Sequence, residues 1–219
     1  MSVINNYKKI IENIKATCKK YNKNYENINI VAVSKQQTLD KIKSLYNSGH
    51  NCFGENKLNE ANSKWETFEK GKVKLHFIGA LQSKKIKEII KIFDVIETLD
   101  TESSAKKISL LKSNNIKIPK IFIQINIGEE PQKRGVAPSD FSDFYNMCKI
   151  KYGLEISGAM SMPPMHQDPK IYFKNMFYIC KKENIENISM GMSNDYQEAI
   201  IQGANNLRIG SSIFGERGK

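Results

Sequence analysis

Arginine is almost missing from this chain. Arg134, Arg208 and Arg217 are its only instances, against a net charge of +11 that is carried by lysine. Nucleic-acid sites usually lean on arginine interleaved with aromatics. The balance therefore favours a solvated lysine coat over a polyanion patch, and no nucleic-acid partner is expected. Lysine, asparagine and isoleucine are in joint excess, as in genomes rich in A and T. Cysteine is sparse and scattered: Cys18, Cys52, Cys148 and Cys180 form no C-x-x-C pair. That spacing excludes a patterned zinc site or a disulfide framework and fits a reducing compartment. Long apolar runs are absent too. Lys8, Lys9, Glu12 and Lys15 interrupt the N-terminus where a signal peptide stays apolar. No stretch approaches the roughly 20 apolar residues that cross a bilayer. A cytoplasmic protein with no metal and no membrane contact is expected.

No linker rich in Pro or Gly and no internal repeat divides the 219 residues. The length suits one domain over residues 1–219 and is close to that of a one-domain α/β barrel. Folding a chain of this size removes roughly 70% of its unfolded surface from water, so the core needs no staple.

What recurs is a strand-like run followed by a helix-like run, the mark of a parallel sheet with crossover helices. Ile4, Tyr7, Ile11, Ile14, Cys18 and Tyr21 repeat at helical steps and predict an N-terminal helix lying on the body of the protein. Strands are expected at 28–35, 51–53, 75–79, 94–99, 118–127, 154–162, 188–190 and 207–211, each followed by a helix. Thr101 and Asp168 read as helix caps, the latter ahead of Pro169. The seventh helix is expected to follow from Asn194. Eight such units predict a (β/α)8 barrel with an extra N-terminal helix; pattern alone leaves an open doubly wound sheet possible.

In a barrel of this kind, sites gather at the C-terminal ends of the strands, and the last two loops often hold phosphate. Val31, Val33 and Lys35 share one strand face. If that face is interior, Lys35 sits in the mouth away from bulk water. Its ammonium is then disfavoured and its amine is suited to a Schiff base with an aldehyde. The bland alternative is a lysine snorkelling to the rim. Gln124 and Asn126 are expected to point inward and Ile121, Ile123 and Ile125 toward the helices; His76 and Met160 fall on interior phases. Ser193 and Asn194 stand in the seventh loop, which reads Gly191 to Asp195 and leads into a helix, where N–H groups and a hydroxyl suit an anion or a plain cap. Gly210 and Ser211 close the eighth strand, and Arg208 shares the phase of Gly210. An amine, a phosphate cradle and one fixed cation suit a phosphorylated aldehyde. Periodicity does not choose between pyridoxal phosphate and a sugar phosphate.

The blocks Val-Ala-Val-Ser-Lys ending at Lys35, Phe-Gly-Glu-Asn at 53–56, and His-Phe-Ile-Gly-Ala-Leu-Gln-Ser-Lys-Lys at 76–85 stand in order along the chain. Gln-Ile-Asn-Ile at 124–127, Gly-Met-Ser-Asn-Asp at 191–195 and Arg-Ile-Gly-Ser-Ser-Ile-Phe-Gly at 208–215 follow. Together they resemble the pyridoxal phosphate homeostasis protein family, of the YggS/PROSC type. The resemblance implies the barrel of the alanine racemase N-terminal domain, with pyridoxal 5′-phosphate (PLP) held as an internal aldimine on Lys35. It further implies that Ser193, Gly210 and Ser211 hold the phosphate, that Arg208 faces the pyridine nitrogen, and that Asn56, His76 and Met160 line the ring pocket. Ser211 stands where threonine is usual, Asn194 where aspartate is frequent and Ala80 where proline is frequent. The 128–135 loop also departs from the usual polar run.

An arginine beside the pyridine nitrogen opposes its protonation and weakens the electron sink on which PLP chemistry depends. The resemblance also implies racemase relatives with a second domain and a base on the other ring face, neither of which is expected here. The expectation is therefore a monomeric PLP carrier that serves PLP-dependent apoenzymes with little or no turnover. Its rivals are a weak amino-acid racemase or another small Schiff-base enzyme, and an RNA- or polyphosphate-binding module.

Overall fold

Eight parallel strands close into one barrel in the order β1 to β8, in a computed structural model that describes residues 2–66, 68 and 72–215. The strands are β1 (Asn29–Val33), β2 (Cys52–Glu55), β3 (Lys74–Phe77), β4 (Val95–Leu99), β5 (Lys120–Ile125), β6 (Ile156–Ser161), β7 (Asn187–Ser189) and β8 (Asn206–Ile209). Closure is made by β1, which pairs with β2 through Ala32 opposite Phe53 and with β8 through Ala32 opposite Ile209. The closed ring resolves the choice that the sequence pattern left open.

The helices are α1 (Val3–Lys20), α2 (Leu39–Asn47), α3 (Leu58–Trp65), α4 (Ile86–Ile92), α5 (Glu102–Ser113), α6 (Phe141–Asn146), α7 (Pro169–Lys182), α8 (Tyr196–Ile201) and α9 (Ser211–Phe214). Strand side chains alternate between faces. One set, including Ile30, Ala32, Phe53, Phe77, Ile121, Ile123, Ile125, Ile188, Leu207 and Ile209, joins the buried layer under the helices. Fully burying each large aliphatic side chain contributes about 1.5–3 kcal/mol, so this layer is the main source of stability. The alternate set, with Val31, His76, Phe122, Met160 and Arg208, fills the barrel. Lys35 is in phase with Val31 and Val33, two residues past the end of β1.

Helix α1 begins at Ser2, whose hydroxyl accepts from Asn5 N–H. It packs against α2, α8 and α9, across the seam where the first and last strands meet. Ile10, Ile14, Thr17 and Cys18 form its buried face, with Val3, Tyr7 and Ile11 flanking it. Tyr21, expected on that seam, is instead 42% exposed, because the helix ends at Lys20 and the chain turns away. Asn6 Nδ2 donates to Ile213 O at 3.1 Å and Gln197 Nε2 to Thr17 Oγ1 at 3.2 Å, tying this helix to the last two. Thr101 and Asp168 cap α5 and α7 as expected.

Two boundaries differ from the sequence pattern in ways that matter for the site. Strand β8 stops at Ile209, so Gly210 is the N-cap of α9 and Ser211 its first residue. Helix α8 starts at Tyr196 because the Asp195 carboxylate accepts the Met192 N–H at 2.5 Å and closes a turn over 193–195. Asn194 is thus in a loop ahead of the helix. Arg217 lies outside the described residues.

Candidate functional site

The C-terminal rim collects most of the residues singled out in the sequence. Lys35 follows β1 and is half-buried; Asn56 follows β2 and is half-buried; Ser193 follows β7; Gly210 and Ser211 follow β8. A Cβ on Gly79 would lie 2.0 Å from the Asn56 carbonyl oxygen, so only glycine lets the third loop lie against Asn56. Met160 is in β6, beside Gln124 of β5 and Ser189 of β7, and is 1% exposed.

The loops after β7 and β8 are joined. Ser212 N–H donates to Ser193 Oγ at 3.2 Å, and Ser212 Oγ donates to Ser193 O at 3.3 Å. Among the described residues, the backbone N–H groups of Ser193, Asn194 and Ser211 have no acceptor. These three donors and two serine hydroxyls form a set that matches a phosphate monoester. Gly210 keeps the cradle open: a Cβ there would meet nothing nearer than Val33, at 3.5 Å. Asn194 is exposed, so it offers this set its backbone more directly than its amide.

Both neighbours of Lys35 are gripped from outside the barrel. Ser34 Oγ donates to Glu55 Oε1 at 2.7 Å, and Lys64 Nζ donates to Ser34 O at 2.7 Å. Gln36 sits at φ 60°, an uncommon conformation for a residue with a side chain, and its N–H donates to the Glu60 carboxylate. Lys64 bridges the two acids, at 3.2 Å from Glu55 and 2.6 Å from Glu60. Burial pushes the Glu55 carboxyl above its usual range, against the pull of Ser34 and Lys64. A buried carboxylate needs such a cation; here the pair also fixes the peptide that carries Lys35.

Inside the barrel lies a network that sequence reading missed. Glu97 of β4 is fully buried. His76 Nδ1 lies 2.6 Å from Glu97 Oε1, and Ser189 Oγ donates to Glu97 Oε2 at 2.6 Å. Arg208 Nη1 donates to Ser189 Oγ at 2.6 Å and Nη2 to Ser161 O at 2.8 Å. Arg208 is therefore turned inward, as its phase with Gly210 required. Burial disfavours the His76 charge, but hydrogen bonds to Cys52 and Glu97 outweigh it and raise the imidazole to about 10. Burial likewise opposes the Glu97 charge, yet His76, Arg208 and Ser189 hold its carboxyl below the usual range. His76 occupies the middle of the barrel and also faces a cavity at the opposite end. The signal available for Glu97 was its phase with Val95, on the face of β4 opposite Ile96 and Thr98.

Gln124 and Asn126 serve the loop after β5. Gln124 Nε2 donates to Arg134 O at 2.9 Å and Asn126 Nδ2 to Glu130 O at 2.9 Å. Arg134 in turn binds Asp100 through two hydrogen bonds of 2.7 Å. The 128–135 loop is thus folded back over the rim. Among the described residues no cluster of His, Cys, Asp and Glu could hold a metal ion, and no helix is long and apolar enough to cross a membrane.

Residues 6–218 match the family model of the alanine racemase N-terminal domain. A pyridoxal phosphate homeostasis protein of Haemophilus influenzae is 31% identical over 229 residues, covering 99% of this chain and 97% of that one. One of Schizosaccharomyces pombe is 34% identical over 206 residues, covering 89% and 86%. The structure of Synechococcus elongatus PipY with PLP bound is similar at a TM-score of 0.77 and 26% identity, over 86% of this chain and 93% of that one. The chain belongs to the alanine racemase N-terminal domain family and, within it, to the pyridoxal phosphate homeostasis proteins.

Proposed function

We propose that this protein binds pyridoxal 5′-phosphate at the C-terminal rim of its barrel and holds it for release to apoenzymes in the cytoplasm, with little or no turnover. The observation that carries the reading is the donor set of Ser193, Asn194 and Ser211 on the same rim as Lys35, with Gly210 leaving room between them. When bound, the cofactor supplies an aldehyde and an electron-withdrawing ring. Lys35 would supply the amine that holds the aldehyde as a C=N link, one water being released on capture and taken up again on release. The loops after β7 and β8 take the phosphate, and Asn56 and Met160 bound the ring. This reading gives Arg208 the pyridine nitrogen. Its charge opposes protonation there, so it supports retention of the cofactor without electron withdrawal strong enough for rapid turnover.

The test is optical. Protein purified with PLP should carry a visible absorbance band that borohydride erases, and Lys35→Ala should lack it. A colourless protein that neither takes up PLP nor is changed by Lys35→Ala contradicts the proposal. Turnover of D- or L-alanine well above a Lys35→Ala control contradicts the carrier half of it.

A further inference from the structure

The N-terminal end of the barrel, opposite the rim, opens into a cavity of about 650 Å³. Volumes of about 300–1,000 Å³ are typical of small-molecule sites. Lys74, Lys91, Lys117 and Lys120 line its mouth. Lys74 and Lys120 begin β3 and β5, on either side of β4, so the topology itself gathers them. Among the described residues, none of the four has a carboxylate within ion-pair distance. The lining includes one acid, Asp94, and its Oδ2 already accepts the Leu75 N–H at 2.8 Å. Inside, the well reaches His76, Phe122 and Asn206, which are buried interior side chains of the barrel.

Four ammonium groups with no ion pair among the described residues surround a concave, partly apolar well; they focus a positive field into it and concentrate small anions there. A patch of surface lysines alone would lack the cavity. The depth also selects the ligand: His76 and Asn206 lie where a compact molecule can enter and a folded polymer cannot.

We propose that this well is a second ligand site, which takes a phosphate ester of nucleotide size, and that its occupancy is felt at the rim through His76. The route is the chain of contacts already described: His76 to Glu97 at 2.6 Å, Glu97 to Ser189 at 2.6 Å, and Ser189 to Arg208 at 2.6 Å. An anion in the well adds negative charge beside His76 and competes with Glu97 for its attraction, shifting the field on Arg208. Binding in the well stands without the cofactor; the coupling rests on the function proposed above.

The experiment uses ADP as probe, followed by calorimetry on the whole protein. Wild type binds ADP, more weakly as salt rises. The double substitution Lys117→Glu with Lys120→Glu lowers the affinity at least about tenfold, while uptake of PLP is unchanged. Lys35→Ala binds ADP as wild type does, which separates this site from the rim. In wild type loaded with PLP, ADP changes the rate of PLP loss on dilution by about fivefold, and the change is absent in His76→Gln. Failure of ADP to bind, equal affinity in the charge-reversed protein, or loss of ADP binding in Lys35→Ala overturns the site. Tighter binding of single-stranded RNA than of ADP at equal phosphate overturns the small-molecule reading. An unchanged rate of PLP loss overturns the coupling; absence of PLP uptake altogether would instead strike the proposed function and leave the ADP result standing.

Discussion

The guanidinium of Arg208 stands 3.8 Å from the carboxylate of Glu97, both of them buried, with the Ser189 hydroxyl bridging them. Two cations, His76 and Arg208, thus share one anion in the middle of the barrel. Removing one member of such a group leaves a charge buried without compensation, which costs about 3–5 kcal/mol. Glu97→Gln should lower the unfolding free energy by about that much, measured by urea denaturation. A loss below about 1 kcal/mol would mean that the network contributes little.

The same network sets a pH dependence. His76 is raised from 6.5 to about 10 in the folded protein. Its contribution is therefore fully present below pH 6.5 and is lost as pH rises through about 10. Glu97 is lowered, so its contribution is present above its unfolded value and fails only in acid. The urea midpoint of wild type should fall between pH 7 and pH 10, and His76→Gln should flatten that slope. Equal slopes in the two proteins would show that His76 is not held protonated by Glu97.

Two glycines, one on the rim and one within β6, separate fold from ligand. At Gly210 an added methyl meets Val33 at 3.5 Å, an ordinary contact, so Gly210→Ala should change stability by less than about 1 kcal/mol. Gly210 adjoins the proposed phosphate donor Ser211, so the added methyl should lower PLP affinity about tenfold or more. Gly158→Ala behaves in the opposite way, because its Cβ would lie 2.6 Å from the Phe122 ring and 2.8 Å from Asn187 O. It should destabilise the fold by about 1–3 kcal/mol. Unfolding curves and equilibrium dialysis of the two variants check both halves.

Lys64 and Glu60 position the peptide around Lys35 through Ser34 O and the Gln36 N–H. Glu60→Gln keeps the shape of the acceptor for the Gln36 N–H but removes half of its ion pair with Lys64. It should speed PLP loss several-fold at nearly unchanged stability. Lys64→Met strands the Glu55 carboxylate in the interior and should cost about 3–5 kcal/mol besides. An unchanged rate of PLP loss in Glu60→Gln would reduce the clasp to a structural feature.

The barrel was legible because its outward strand positions are aliphatic in strict alternation, as at Ile121, Ile123 and Ile125, and because each strand is followed by a helical period. Arg208 was legible through rarity and phase together. Glu97 was not, because a lone acid in a strand reads as surface, and fully buried acids occur almost only when paired. Its partners are remote in sequence: His76 lies 21 positions away and Ser189 lies 92. Only closure of the barrel brings them into contact. The clasp at Lys64 was hidden for a related reason, since one lysine among so many carries no signal until α3 packs behind β1 and β2. The boundaries at Asn194 and Gly210 were set by local turn chemistry, the Asp195 side chain in one case and a glycine turn in the other.

The most direct measurement reduces the PLP-loaded protein with borohydride and maps the product by mass spectrometry. The account predicts one reduced phosphopyridoxyl group per chain, on the peptide that contains Lys35. A group fixed on another lysine, or spread over many, would contradict it.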